Sequence, residues 1–410
     1  MYNLHSVYHN KKMQDHISKF KTFYDNSSLN DYDCFKKSVP VLNEIDFSSI
    51  INQFIEKNIF KSCSFNMTSG TTGNSKLLAN SLWRDVNKIN YAAYFKRIIS
   101  MCVLSKEDVV ANLFTAGGFS TLYDGCNRLL ESIGCSLLPI GRLDGFSHQA
   151  QRNMLSRMNQ IGVDVLLGTP SSVIYLLKFS QINGINLNIK KIIFTGEPFS
   201  QEKRNYVKTI WTEAKIYGLY GHSETGFIGF NTDQCPYQYY HFFEDWFFLE
   251  VINASELLVT SYADTLMPIV RYQVGDKAQL IEHKCCCGID LPVLSLQGRK
   301  DKKFNFAGNL INSEEIQVKL EHFFQKNVEF QIQLKTDASG QDLLNIILNQ
   351  DGFDGSEYGQ LCSAILQIDE IHEAIQKQAG CLSIHNRGQF HCTDRQKQPL
   401  IVDLRFEEKT

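Results

Sequence analysis

No stretch of this 410-residue sequence approaches 18 consecutive apolar residues, so it offers no candidate for a membrane-spanning helix. Its first residues, Met1 to His16, set charges and amides where a secretory leader needs an apolar run, and the expectation is a soluble, cytoplasmic protein. An excess of charge is missing too. Lys and Arg number 41 against 44 Asp and Glu, a net charge of −3, which leaves no basic footprint for nucleic acid and no attraction to an anionic membrane. Proline is scarce at 8, and 26 glycines follow no repeat, which excludes collagen-like and low-complexity chains. Cysteine, by contrast, is plentiful. In a long chain without a leader, 12 cysteines read as buried thiols or metal ligands rather than disulfides. Most are scattered singly, but Cys285, Cys286 and Cys287 are adjacent.

The length suits one large domain and a small one. Residues 1 to about 60 are polar with helical periodicity in patches (Ile17, Phe20, Phe23, Tyr24), as expected of surface helices capping a larger unit. From 108 to 261, short apolar runs alternate with helix-length stretches: Asp108 to Phe114, Asp164 to Gly168, Lys190 to Gly196, Lys215 to Gly221 and Glu256 to Ser261, with segments such as Ser171 to Asn183 between them. Strands separated by helix-sized crossovers predict an α/β domain with a parallel or mixed sheet. Beyond about 300 the texture changes to a helix over Ser313 to Phe324, strands over Val328 to Leu334 and Leu343 to Leu348, a helix near Ser356 to Leu366 and a last strand over Leu400 to Leu404. The expected division is therefore a large domain over 1–299 and a small α+β domain over 300–410.

The run Met67-Thr68-Ser69-Gly70-Thr71-Thr72-Gly73-Asn74-Ser75-Lys76 is a glycine and hydroxyl loop closed by a lysine. Glycines admit backbone N–H groups to a polyanion, hydroxyls add donors and lysine a point charge, so the chemistry suggested is phosphate cradling. The spacing is not that of a Walker A loop, and a flexible turn would read alike. Two apolar strands then end in polar turns, Phe194-Thr195-Gly196-Glu197-Pro198 and Tyr220-Gly221-His222-Ser223-Glu224-Thr225-Gly226. Ligands of open α/β sheets bind beyond the carboxyl ends of strands, so both turns point at one crevice. After Leu266-Met267-Pro268-Ile269-Val270-Arg271-Tyr272-Gln273-Val274-Gly275, the carboxylate of Asp276 is placed to accept from vicinal hydroxyls such as a ribose. Gln297-Gly298-Arg299-Lys300-Asp301 follows at the change of texture, with the residues of a hinge or of a solvated linker.

These five segments, in this order and at about these separations, resemble the core motifs of the adenylate-forming superfamily: acyl-CoA synthetases, peptide-synthetase adenylation domains and luciferases. Phe194 to Pro198 and Met267 to Asp276 are similar to the phenylacetate-CoA ligase branch. Closer still is the indole-3-acetate–lysine synthetase type of amide-forming ligase, which the chain resembles at Asn112 to Thr115, Asp164 to Pro170, Gly184 to Glu197, Gly226 to Phe230, Phe304 to Ile311 and Lys397 to Arg405. The resemblance runs from about 60 to 405. It implies that a carboxylate attacks the α-phosphate of Mg-ATP to give an acyl-adenylate and pyrophosphate, and that an amine then displaces AMP to form an amide. Phosphoryl chemistry of this kind needs positioning and charge neutralisation, which fits the residue types present.

By the same resemblance, Thr68, Ser69, Gly70, Thr71, Thr72, Gly73 and Lys76 would hold the β- and γ-phosphates. Gly196, Glu197 and Pro198 would line the adenine pocket, with Tyr220 stacking on the base beside Gly221 and Ser223. Glu224 would hold Mg²⁺, Asp276 would bind the ribose and Arg299 the ribose or phosphate. Lys397 matches the lysine that a mobile C-terminal domain swings into the site, with Asp301 as pivot; Gln396 stands where the family pattern has glycine. His222 is open to three readings: a donor to the α-phosphate, a base for the amine, or a packing residue of the turn. Phe114, Gly117, Gly118 and Phe119 match the wall of the acyl site and suit a flat aryl acid, although both phenylalanines would also serve as core. Cys235, His241, Cys285 and Cys287 form a set that some phenylacetate-CoA ligase relatives share and that could hold structural zinc, or they are buried thiols; the amide-synthetase pattern shares only the first cysteine. A thiol acceptor, either CoA or a carrier protein, is the alternative to the amine.

Overall fold

The computed structural model describes residues 32–56, 63–67, 77–81, 97, 101, 104–117, 121–262, 269–300, 302–350, 353, 357–391 and 398–406. The loop from Thr68 to Lys76 lies outside the described residues, as do Gly118, Phe119, Asp301, Lys397 and the patch at Ile17, Phe20, Phe23 and Tyr24.

Two helices, α1 (Tyr32–Ser38) and α2 (Glu44–Glu56), come first, followed by a hairpin of β1 (Cys63–Met67) and β2 (Leu77–Ser81). Met67 pairs with Leu77, so the two stems of the phosphate-type loop lie side by side. The parallel part of the main sheet is built from β3 (Val109–Asn112), α3 (Thr121–Ile133), β4 (Ser136–Pro139), α4 (His148–Ile161), β5 (Val165–Gly168), α5 (Pro170–Ile182), β6 (Lys191–Phe194), α6 (Gln201–Ile210) and β7 (Lys215–His222). These strands are near-continuous apolar runs because helices cover both faces. Side chains alternate between the two faces: Val165, Leu167 and Ile193 join one core, and Leu166, Ile192 and Phe194 the other. Helix α5 starts where Thr169 caps the Ser172 amide and Pro170 takes the first turn, a position that needs no N–H.

The sheet then turns antiparallel through β8 (Gly226–Asn231), β9 (Tyr239–Phe242), β10 (Phe247–Ile252), β11 (Glu256–Ser261), β12 (Tyr272–Ile281) and β13 (Val293–Arg299). Its strand order is β10-β11-β12-β13-β9-β8-β7-β6-β5-β3-β4, eleven strands in all. The mixed α/β sheet expected from the sequence is thus present, half of it antiparallel.

Residues 32–56 do more than cap a surface. Tyr32 and Phe35 pack edge-on against Phe248, and the Tyr32 hydroxyl donates to Glu250. The Arg271 guanidinium is buried between Glu250 and the Lys36 and Val39 carbonyls. Leu42 adds a one-residue parallel bridge to Tyr272.

A second set of elements follows: the hairpin β14 (Lys303–Phe306) and β15 (Asn309–Asn312), α7 (Ser313–Phe324), β16 (Phe330–Thr336), β17 (Asp342–Leu348), α8 (Tyr358–Ile365), α9 (Asp369–Gln376), β18 (Gly380–Asn386), β19 (Ile401–Asp403) and a 3-10 turn, Leu404–Phe406. The order β18-β17-β16-β19 makes a four-stranded sheet with its own core, including Ile332, Leu344, Leu361 and Ile371. The Asn312 side chain caps α7 at the Glu314 amide, which is why that helix begins where its sequence pattern does.

Candidate active site

Strand β7 delivers Tyr220 and His222 to its carboxyl end, and the hairpin of β12 and β13 brings Asp276 and Arg299 beside them, paired across the ladder. Gly221, between the first two, could be nothing larger. A Cβ there would lie 2.2 Å from the Gly226 carbonyl oxygen and 2.6 Å from the Phe227 Cα, where the β7–β8 ladder shifts register.

The Tyr220 hydroxyl donates to Asp276 Oδ2 at 2.7 Å, His222 Nε2 lies 2.9 Å from the same oxygen, and Arg299 Nη1 stands 3.4 Å from Oδ1. Burial alone would raise the Asp276 pKa, but His222, Arg299 and the Tyr220 hydroxyl outweigh it and hold the carboxylate below its usual range. Burial, reinforced by Asp276, pushes the Tyr220 phenol well above its ordinary value, so it stays a donor. His222 Nε2 thus faces both Asp276 and the Tyr220 hydroxyl, which lies 3.1 Å away. Glu224, in the turn after β7, accepts from the Tyr272 hydroxyl at 2.9 Å. Tyr272 lay within a recognised run without a role of its own, since only its contact across the fold shows one. Ser223 is exposed at the head of the turn, as is Gly117 after β3.

Of its two readings, Phe114 takes the packing one, buried in the core with Phe47 and Phe227. One expectation changes. Glu197 does not line an open pocket: its side chain is fully buried, accepting from the Ser171 amide at 2.6 Å and the Ser171 hydroxyl at 2.8 Å and facing Lys203 at 3.4 Å. The physical reason is the turn Ala307-Gly308 of the β14–β15 hairpin, which covers it. A Cβ at Gly308 would lie 3.4 Å from Glu197 Oε1. Lys203 also pairs with Asp342 at 3.0 Å, and Asp342 with Arg405 at 3.1 Å, so four buried charges join the main sheet to the C-terminal elements. Alongside them, Asn305 donates to the Gly196 carbonyl. Pro198 is half-buried in the same turn.

At the closed end of the β12–β13 hairpin, Cys235, His241, Cys285 and Cys287 bring their ligand atoms within 4.8 Å of one another. His241 Nδ1 lies 3.2 Å from the Leu291 carbonyl, which can only accept, so the Nε2 lone pair faces Cys287 Sγ at 3.0 Å. Burial lowers the His241 pKa, which keeps the ring neutral. Cys286 turns away, its thiol donating to the Gln234 carbonyl. Three sulfurs and one imidazole are a donor set of the tetrahedral Cys₃His type.

No family model matches the chain. In sequence it is 28% identical over 377 residues to the indoleacetate–lysine synthetase of Pseudomonas savastanoi, a match covering 91% of this chain and 92% of that one. In structure it is similar to 2-hydroxyisobutyryl-CoA ligase in complex with 2-HIB-AMP and CoA in the thioesterification state, with a TM-score of 0.62, 18% identity and coverage of 92% of this chain and 82% of the other. The open conformation of that ligase with the same ligands gives a TM-score of 0.58 at 17% identity, covering 97% and 87%. The chain is thus similar in sequence, along nearly its whole length, to an indoleacetate–lysine synthetase, and it has the fold of an AMP-forming acyl-CoA ligase.

Proposed function

We propose that the protein is an AMP-forming acid–amine ligase that activates a small aromatic carboxylic acid with ATP and couples it to an amine. The observation that carries this reading is the similarity to indoleacetate–lysine synthetase over 91% of the chain, and the cluster around Asp276 supports it. A substrate carboxylate oxygen forms a bond to the α-phosphorus as the bond to pyrophosphate breaks. The amine nitrogen then bonds the carbonyl carbon as the bond to AMP breaks, and the nitrogen loses a proton.

In this reading Asp276 and Arg299 receive the ribose, Tyr220 borders the base, and His222 Nδ1 takes the amine proton. The loop from Thr68 to Lys76 receives the β- and γ-phosphates, and Lys397 bridges carboxylate and α-phosphate. The acyl group meets Gly117, Gly118 and Phe119. Glu224, oriented by Tyr272, would hold the Mg²⁺ that arrives with ATP and supplies charge neutralisation there. Residues 1–299 bind ATP and acid, residues 300–410 carry the lysine, and Asp301 is the pivot between them. Cys235, His241, Cys285 and Cys287 would hold a structural zinc ion that pins the hairpin whose other end bears Asp276 and Arg299.

The test is AMP release and hydroxylamine trapping over a panel of aryl and short acyl acids, with amines or CoA as acceptor. Turnover that rises with an amine such as lysine and ignores CoA is expected; turnover that rises only with CoA overturns the amide assignment. Lys397→Ala is expected to abolish pyrophosphate release, and Asp276→Asn to raise the KM for ATP at least about tenfold. Metal analysis of protein purified without added metal should find close to one zinc per chain, and less than a few tenths of an equivalent refutes the zinc site.

A further inference from the structure

Between the β4–α4 connection, the first turns of α5 and the end of α9 lies a small cleft lined by Leu113, Arg142, Asp144, Ser172, Tyr175 and Lys377. It opens beyond the carboxyl ends of β3 and β5, the edge of the sheet at which ligands of open α/β folds bind. It also adjoins the stretch that leads to the acyl side of the candidate site. The Gly141 amide donates to the Asn112 carbonyl at 2.9 Å, and a Cβ on Gly141 would lie 3.8 Å from the Phe114 carbonyl oxygen and 3.9 Å from the Ala116 Cβ. Arg142, the next residue, therefore stands beside the segment that ends at Gly117.

The polar groups of the cleft are of two kinds. Its neutral donors are committed: the Ser172 hydroxyl donates to the Thr169 carbonyl and the Tyr175 hydroxyl to the Gln151 carboxamide. Its charges, by contrast, have more partners than neutrality requires. Arg142 lies 2.6 Å from Asp144 and 3.7 Å from Glu373, and Lys377 lies 3.4 Å from Asp144 and also pairs with Glu373. Each cation thus faces both acids, and one contact of each could be given up without leaving any charge unopposed. A guest that brings one charge of each sign can enter this square and keep it neutral, whereas a lone ammonium or a lone carboxylate would leave it with a net charge. Asn309 Nδ2 donates to Glu373 at 3.3 Å and holds that acid at the edge of the cleft.

We propose that this cleft receives the head of the acceptor, an amino acid held by its carboxylate at Arg142 and Lys377 and by its α-ammonium at Asp144 and Glu373, with a side-chain amine extended toward the acyl group at Gly117. This rests on the acid–amine ligase reading given above and adds to it the class of amine and the residues that select it. Arg142 and Asp144 belong to the connections of the main sheet and Glu373 and Lys377 to the C-terminal elements, so the head site is complete only where the two meet.

The test measures amide formation with three acceptors: lysine, cadaverine, which lacks the carboxylate, and 6-aminohexanoate, which lacks the α-ammonium. In the unsubstituted protein kcat/KM should fall at least about tenfold for each truncated acceptor relative to lysine. Lys377→Ala and Arg142→Gln should raise the KM for lysine at least about tenfold while the KM for cadaverine stays within about twofold. Asp144→Asn should penalise lysine and cadaverine but not 6-aminohexanoate, and Lys377→Arg should recover most of what Lys377→Ala loses. A residue that only supported the fold would move all three acceptors together. Equal use of the three acceptors by the unsubstituted protein, or an equal change for all three in the variants, overturns the inference and leaves the ligase reading standing. If no amine accelerates AMP release, the ligase reading falls and the inference with it.

Discussion

Among the described residues, two four-membered ionic contacts join the C-terminal elements to the main sheet and its connections, and each contains two acids and two bases. In one, Glu197, Lys203, Asp342 and Arg405 have side-chain exposures of 1% or less. In the other, Arg142, Asp144, Glu373 and Lys377 are 10–41% exposed. The second set is made of charge pairs in contact with water: Arg142 grips Asp144, and Lys377 reaches both Asp144 and Glu373. The first is enclosed and cross-braced by neutral donors, with the Ser171 amide and hydroxyl on Glu197 and the Ala307 amide and Thr336 hydroxyl on Asp342. Desolvating a charge costs several kcal/mol, so a buried set persists only where every lone pair finds a donor. The same number of charges therefore does different work. The rim contact is open to water, whereas the buried one seats the β14–β15 turn over Glu197 in this conformation.

The sharpest way to break this contrast is Lys203→Met, which leaves two buried carboxylates without their shared cation. It should destabilise the protein by about 3–5 kcal/mol in urea unfolding. A loss no greater than that of rim variants would make the two contacts equivalent. A smaller effect lies in pH. Burial opposes ionisation of Asp342, but Lys203 and Arg405 outweigh it and hold the carboxyl below its ordinary range. A depressed folded-state pKa contributes stability that is present above the unfolded value, about 3.9, and is lost as pH falls through the folded one. Asp342→Asn should thus be most costly near neutrality and flatten the acid limb of the stability curve, a change that unfolding at stepped pH would detect. The smallest effect belongs to the rim: Lys377→Ala should cost less than about 1 kcal/mol, and most of that should vanish on adding salt.

What could be seen in the sequence were features whose cause is local. Helix α7 is bounded by its Asn312 cap and its apolar spacing, and β5 and β6 are short apolar runs that end in turn residues. Glu197 illustrates the opposite case. A glutamate in a glycine–proline turn at a strand end suggests a ligand contact, yet its position is decided by Ser171, Lys203 and a turn at Ala307, far along the chain. Strand β18 has the same difficulty, because its parallel pairing with β17 needs a crossover through α8 and α9 and leaves no hairpin signal. The cluster at Cys235 was visible as residue types, and the fold supplied the distances.

The bridge at Leu42 bears on how this chain could be shortened. Trimming to residue 45 would retain every motif in the adenylate-forming set, and by inspection of those motifs would look harmless. It would also remove the Lys36 and Val39 carbonyls from the Arg271 guanidinium, the Tyr32 hydroxyl from Glu250 and the backbone partner of Gln273. A minimal catalytic fragment must therefore begin upstream of Tyr32, since the residue after Arg271 is the tyrosine that holds Glu224.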